Sequence, residues 1–194
     1  FIAVSETRLG LAIADVSGKG IPAALLMAGF RMSLLAEIRN EFAIRAVMRK
    51  ANQLLYESTE RDKFVTAFYG VLDWHNGVLI FSNAGHNPPL LIRGGETEKL
   101  KACGPVLGIM PVNYTSRSTK LTAGDTLVLY TDGITEAESP GEEEFEVPNL
   151  ERVIREGSAL PPGALLAHIL QRVDEWTQGA PASDDRTMVA ARRA

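Results

Sequence analysis

A single cysteine, Cys103, excludes any disulfide within the chain, and three histidines without HExxH-like spacing leave zinc chemistry little to stand on. No block of basic residues occurs, and 20 Lys plus Arg against 24 Asp plus Glu give a net charge of −4. Nucleic acid is therefore not an expected partner. No long hydrophobic run occurs either. The longest uncharged apolar stretch, between Lys19 and Arg31, falls short of the roughly 20 residues that cross a bilayer. The reading is a soluble, cytoplasmic protein with no membrane partner. Repeats and low-complexity segments are absent. What is present suits a packed core: 45% hydrophobic and 23% charged residues within 194, the length of one ordinary domain. The chain opens on Phe1 and runs directly into a strand-like pattern, so it reads as a piece of a longer protein.

Leu9 to Asp15 (LGLAIAD) is a short buried strand that meets a loop at Ser17-Gly18-Lys19-Gly20. Pro22 suits the first turn of a helix, where its missing N–H had no partner, and the Ala, Leu and Met that follow predict a helix over 21–40. Leu26, Met27, Phe30 and Leu34 are its expected core residues. Apolar positions at 43, 47, 51, 54 and 55 predict a second helix to about Ser58. The period then changes. Phe64 to Asp73 and Val78 to Ala84 are β-branched and aromatic, and Asn76-Gly77 between them signals a hairpin. Further strands are expected at 90–93, 97–100, 117–121, 126–131 and 187–192, with Gly94-Gly95 as a tight turn and helices near 149–156 and 162–177. Hairpins alternating with paired helices define an α+β fold with antiparallel sheet.

Several chemistries fail on spacing. Gly18, Gly20 and Ala23 outline GxGxxA, yet the segment with Glu37 and Glu41 continues as helix where a dinucleotide fold needs a second strand ending in an acid. A Walker A loop fails because Gly20 follows Lys19. Cys103 has Ile109 where a phosphatase cysteine needs an arginine, and GxSxG is missing around Ser17. Covalent catalysis has no visible nucleophile.

Carboxylates at strand ends remain: Asp15 after LGLAIA, Asp132 after LVLYT, and Asp184-Asp185 before RTMVAA. Each alone also reads as an Asx-turn or loop acid. If the three strands are neighbours, three or four acids converge, and such charge is costly unless a cation compensates it. All-oxygen ligation favours magnesium or manganese over zinc, and a two-metal hydrolytic site follows.

Four blocks make the pattern specific: Asp15-Val-Ser-Gly-Lys-Gly-Ile-Pro-Ala-Ala, Ser82-Asn-Ala-Gly-His-Asn-Pro-Pro, Tyr130-Thr-Asp-Gly-Ile-Thr-Glu-Ala and Ser183-Asp-Asp-Arg-Thr-Met-Val. In this order they resemble the signature blocks of the SpoIIE-type (RsbU-like) bacterial branch of the metal-dependent PPM protein serine/threonine phosphatases. The resemblance covers 1–194 as one catalytic domain. It implies an αββα sandwich of two mainly antiparallel sheets flanked by helix pairs, with the active site at one edge of the sheets. It implies further that two Mn2+ or Mg2+ ions are held by Asp15, the Val16 carbonyl, Asp132 and Asp184, and that a water activated between them attacks phosphorus without an enzyme–phosphate intermediate. Asp185 stands where wider relatives often have Asn and is assigned to support the ligands from behind.

Gly18 and Lys19 fit either phosphate binding at a helix start or a solvated loop. His86 in AGHNPP fits orientation of a loop, protonation of a leaving group, or a structural hydrogen bond in a turn, and the turn is preferred. The resemblance also implies a further metal-ligating Asp in a Gly-Gly-Asp motif immediately upstream of Phe1, a first strand that this chain lacks, and sensory or receiver domains beyond it. The substrate implied is a phosphoserine or phosphothreonine on a phosphorylated protein of the anti-sigma-factor-antagonist type. The rival is a catalytically degenerate pseudophosphatase that only binds a phosphoprotein.

Overall fold

The structure, a computed structural model, describes residues 1–40, 43–60 and 62–194. Glu41, named above as part of a continuing helix, lies outside the described residues. The chain divides into two compact units, Phe1–His86 with Lys101–Lys120, and Asn87–Leu100 with Leu121–Ala194.

In the first unit, β1 (Ile2–Ser5) turns back into β2 (Arg8–Val16), and β3 (Val65–Asp73), β4 (Val78–Ala84) and β7 (Arg117–Lys120) extend an antiparallel sheet in the order β1-β2-β3-β4-β7. The hairpin expected at Asn76-Gly77 is there. Asp73 Oδ1 accepts the His75 and Asn76 N–H groups, and Gly77 N–H donates to the Asp73 carbonyl at 2.8 Å. Alternation along β3 sends Val65, Ala67 and Tyr69 into a core shared with helices α1 (Ile21–Asn40) and α2 (Ile44–Ser58). Helix α1 contributes Phe30, Leu34 and Ile38, a stripe at spacing four, and α2 contributes Ile44, Val47, Met48, Ala51 and Leu55. Each of these side chains larger than alanine contributes about 1.5–3 kcal/mol when withdrawn from water. Leu26 and Met27 pack at the margin of this core, as expected.

Outside that stripe α1 is apolar as well, with Ile21, Leu25 and Met32 exposed. Counted across Arg31, the segment Gly20–Arg39 contains an 18-residue window of mean hydropathy 1.5 and is long and apolar enough to cross a membrane by length and composition. The uncharged run ends at Arg31, as the sequence shows, and the longer segment qualifies only with charged residues counted in. The burial of Phe30, Leu34 and Ile38 accounts for part of this apolarity as core packing.

In the second unit, β5 (Leu90–Arg93), β6 (Glu96–Lys99), β8 (Thr126–Tyr130) and β9 (Met188–Arg192) form an antiparallel sheet in the order β6-β5-β8-β9. Gly94 and Gly95, both at positive φ (55° and 89°), make the β5–β6 turn that L-residues with a Cβ adopt poorly. Leu90, Ile92, Val128 and Tyr130 pack against α4 (Glu146–Glu156) and α5 (Pro162–Thr177) through Leu150, Val153, Leu165, Ile169 and Val173. A single helical turn, α3 (Asp132–Thr135), follows β8 directly. Buried Asp125 ties the base of this sheet together: Oδ2 accepts from Arg93 Nε at 3.0 Å and from the Thr122 N–H at 2.8 Å. Burial pushes its carboxyl up, but these donors outweigh burial and hold it below the usual carboxylate range.

Candidate metal centre

Asp15 sits inside β2 rather than after it, paired across the ladder with Thr66, and is half-buried. Val16, its neighbour, is buried and pairs with Val65. Beyond Val16, Ser17 is fastened to β3 on both sides: its N–H donates to the Phe64 carbonyl at 3.0 Å, and its Oγ accepts the Phe64 N–H at 2.9 Å. This anchor delivers Gly18, Lys19 and Gly20 as an exposed loop leading into α1. A cavity of about 420 Å3 lies beside the loop, lined among others by Ser17, Gly18, Lys19, Pro22, Glu60 and Lys63. Lys63, ion-paired with Asp62 at 3.0 Å, is a second cation on this cavity that sequence reading missed. It stands 44 residues from Lys19 and arrives only through β2–β3 pairing.

His86 is buried at the end of the Ser82–His86 block. Its backbone is closed into a turn by Asn83, whose Oδ1 accepts the His86 N–H at 2.8 Å and whose Nδ2 donates to the His86 carbonyl at 3.0 Å. Nδ1 lies 2.9 Å from Thr66 Oγ1, and Thr66 Oγ1 lies 3.5 Å from the Asp15 carbonyl. The histidine is thus linked to the Asp15 backbone by two hydrogen bonds in series through Thr66 on the neighbouring strand.

In the second unit β8 and β9 are antiparallel neighbours, with Tyr130 opposite Met188. The end of one strand therefore lies beside the start of the other, where Asp132 and Asp184 are found. Gly133 shows how closely the two segments approach: a Cβ there would meet the Asp185 carbonyl oxygen at 2.5 Å and the Asp184 carbonyl carbon at 3.2 Å. Any side chain at 133 would push the segments apart. Asp132 Oδ1 accepts the Gly133 N–H at 2.9 Å and Asp184 Oδ1 accepts the Asp185 N–H at 2.8 Å. Neither carboxylate has an ion-pair partner among the described residues, so each keeps Oδ2 uncommitted. Carboxylate oxygens without an ion-pair partner suit Mg2+ or Mn2+ and would suit zinc poorly. From the other side Arg186 Nη1 reaches Asp174 Oδ1 on α5 at 2.9 Å, holding the same loop.

Of the expected cluster, then, Asp132, Asp184 and Asp185 lie in one unit on segments whose backbones meet at Gly133, with β8 and β9 adjacent, while Asp15 and Val16 belong to the other unit and the other sheet. Among the described residues no group of three or more His, Cys, Asp or Glu side chains is gathered as a metal cluster. Cys103 is free and half-buried, with Sγ 3.8 Å from the Lys101 carbonyl.

Two antiparallel sheets, each backed by a pair of helices, are the PP2C-type phosphatase fold. The SiaA-PP2C domain of Pseudomonas aeruginosa superposes with a TM-score of 0.87 at 19% identity, covering 97% of this chain and 77% of that one. RsbX, solved in complex with magnesium, matches with a TM-score of 0.73 at 17% identity over 98% of this chain and 83% of its own. The family model described as Stage II sporulation protein E (SpoIIE) matches residues 5–194, and the chain belongs to that family. Protein IcfG of Synechocystis is 34% identical over 220 residues, covering 98% of this chain and 34% of IcfG. Phosphoserine phosphatase RsbU of Bacillus subtilis is 29% identical over 192 residues, covering 97% of this chain and 56% of RsbU. The chain thus spans about a third to just over half of these relatives.

Proposed function

We propose that this domain hydrolyses phosphoserine or phosphothreonine on a regulatory protein, and that Asp15, the Val16 carbonyl, Asp132 and Asp184, with the further Asp that the family resemblance implies, hold two Mn2+ or Mg2+ ions for the purpose. The observation that supports the reading is the close approach of the Asp184–Asp185 backbone to Gly133, which brings the segments carrying Asp132 and Asp184 together, each acid bonded through Oδ1 to the next backbone N–H. When bound, the divalent cations supply an acidified water nucleophile and neutralise the charge of the phosphoryl group.

The protein's own part is positional. Asp132 and Asp184 each use Oδ1 for a neighbouring backbone N–H, which restricts the rotation of the carboxylate and leaves Oδ2 for a ligand. Asp185 contributes its carbonyl to the same local network and stays a supporting residue. Gly18 and Lys19, with Lys63 across the cavity, give the phosphoryl oxygens cationic and backbone donors. His86 acts through Thr66 as a brace behind Asp15 and not as an acid. Membership of the SpoIIE family and similarity to RsbU support a phosphorylated protein of the anti-sigma-factor-antagonist type as substrate, a cytoplasmic setting, and sensory or receiver domains upstream.

Incubation with Mn2+ and phosphorylated antagonist proteins, followed by mass spectrometry, tests this. Loss of 80 Da (about one HPO3) from the protein substrate, with free nucleotides untouched, is the expected result. Preferential hydrolysis of nucleotides would contradict the substrate class. Binding of the phosphoprotein without turnover would favour a degenerate regulatory module.

A further inference from the structure

Thr131 lies between the strand that ends at Tyr130 and the carboxylate at position 132, and it is 5% exposed. Its backbone continues the β8–β9 ladder by one step, the N–H donating to the Thr187 carbonyl at 3.0 Å. Its hydroxyl then does what no ladder group can. Oγ1 accepts the Thr187 N–H at 2.9 Å and donates to the Asp185 carbonyl at 2.9 Å. One side chain therefore holds the 184–187 segment at two points, at the place where that segment leaves the sheet and turns toward Asp184. The Asp185 carbonyl it grips is the same atom that leaves no room for a Cβ at Gly133.

We propose that Thr131 is the positioning residue that sets the separation of Asp132 and Asp184. This rests on the reading of those two acids as metal ligands. Gly133 permits the close approach, and Thr131 fixes it. A donor and an acceptor in one buried hydroxyl are both needed, because either bond alone lets the Asp184–Asp185 backbone pivot about the other.

Thr131→Val keeps the shape and removes the hydroxyl, and Thr131→Ser keeps the hydroxyl and trims the methyl group. Two measurements on the folded protein read the effect. Amide hydrogen exchange on the metal-free protein is expected to speed up at Thr187 in the Val variant, by roughly tenfold or more, while the Leu127–Val189 part of the ladder stays protected. Calorimetric titration with MnCl2 is expected to show affinity lowered by roughly 10–100-fold in the Val variant, with the Ser variant within about threefold of the wild type. Unchanged exchange and unchanged Mn2+ affinity in Thr131→Val would overturn the positioning role while leaving the metal reading in place. Faster exchange in a protein whose wild type takes up no Mn2+ at all would overturn the metal reading, and the positioning role with it.

Discussion

Thr66 Oγ1 and His86 Nδ1 stand 2.9 Å apart, directly behind the ladder position where Thr66 faces Asp15. A buried histidine held by its own turn and by a threonine on the neighbouring strand is a brace, and its loss removes the shorter of the threonine hydroxyl's two hydrogen bonds in a partly buried site. His86→Ala is expected to lower stability by about 1–3 kcal/mol, read from the urea midpoint, and to leave the shape of the pH–rate profile unchanged. A stable variant with a lost limb in that profile would mean that His86 moves a proton in the reaction.

Cys103→Ser is expected to retain most of the turnover. The thiol bonds to the Lys101 carbonyl at 3.8 Å, and the reaction proposed has no place for a sulfur nucleophile. Steady-state assay of a folded, metal-loaded variant checks this, and near-total loss would restore covalent chemistry as the reading.

Asp125 makes stability depend on pH in a definite direction. Its carboxyl is held below the usual range when folded, so the unfolded chain takes up the proton first. The stabilisation is therefore complete above the unfolded value of about 4 and is lost as pH falls through the lower folded value. Asp125→Asn is expected to cost about 1–3 kcal/mol at pH 7, and the gap to the wild type is expected to close on acidification. Thermal melts of the two proteins from neutral pH to below pH 4 measure that gap, and a gap that widens in acid would contradict the assignment.

Manganese binding tests the acid implied upstream of Phe1. Two neighbouring cations repel, so both are retained only with enough carboxylate charge in fixed geometry. The 194-residue chain is expected to bind Mn2+ weakly, one ion rather than two. A version extended through the natural upstream residues, if these carry Asp, is expected to bind two and to turn over faster. Equal tight binding of two ions by both would remove the upstream Asp from the ligand set.

Much of the fold was legible because its signals are local. Asn76-Gly77 and Gly94-Gly95 dictate their turns, and Pro162 marks the start of α5 at the residue expected. The misses are local signals that were overlooked or structure that is not locally determined. Helix α4 begins at Glu146, three residues before the expected Asn149, and Pro148 in its first turn was the available sign. Helix α3 is one turn long, too short to form without the β8 and 184–187 segments around it, so no periodicity announces it. Strand β1 has four residues and exists by pairing with β2. At the site, the acids were legible as residue types at strand ends, and the β8–β9 adjacency follows the expectation. Lys63, Thr131 and Arg186 were not, because each matters through a partner 12 to 56 residues distant along the chain or across a cavity.

The central claim is that Asp132 and Asp184 are paired metal ligands. Calorimetric Mn2+ titration and phosphatase assay of Asp132→Asn and Asp184→Asn, each in a version carrying the upstream residues, test it most directly. The account predicts that both variants fold, with metal-free stability equal to the wild type or higher because carboxylate repulsion is relieved, and that each loses nearly all Mn2+-dependent activity together with tight Mn2+ binding. Either variant keeping most of its activity with wild-type Mn2+ affinity would contradict it.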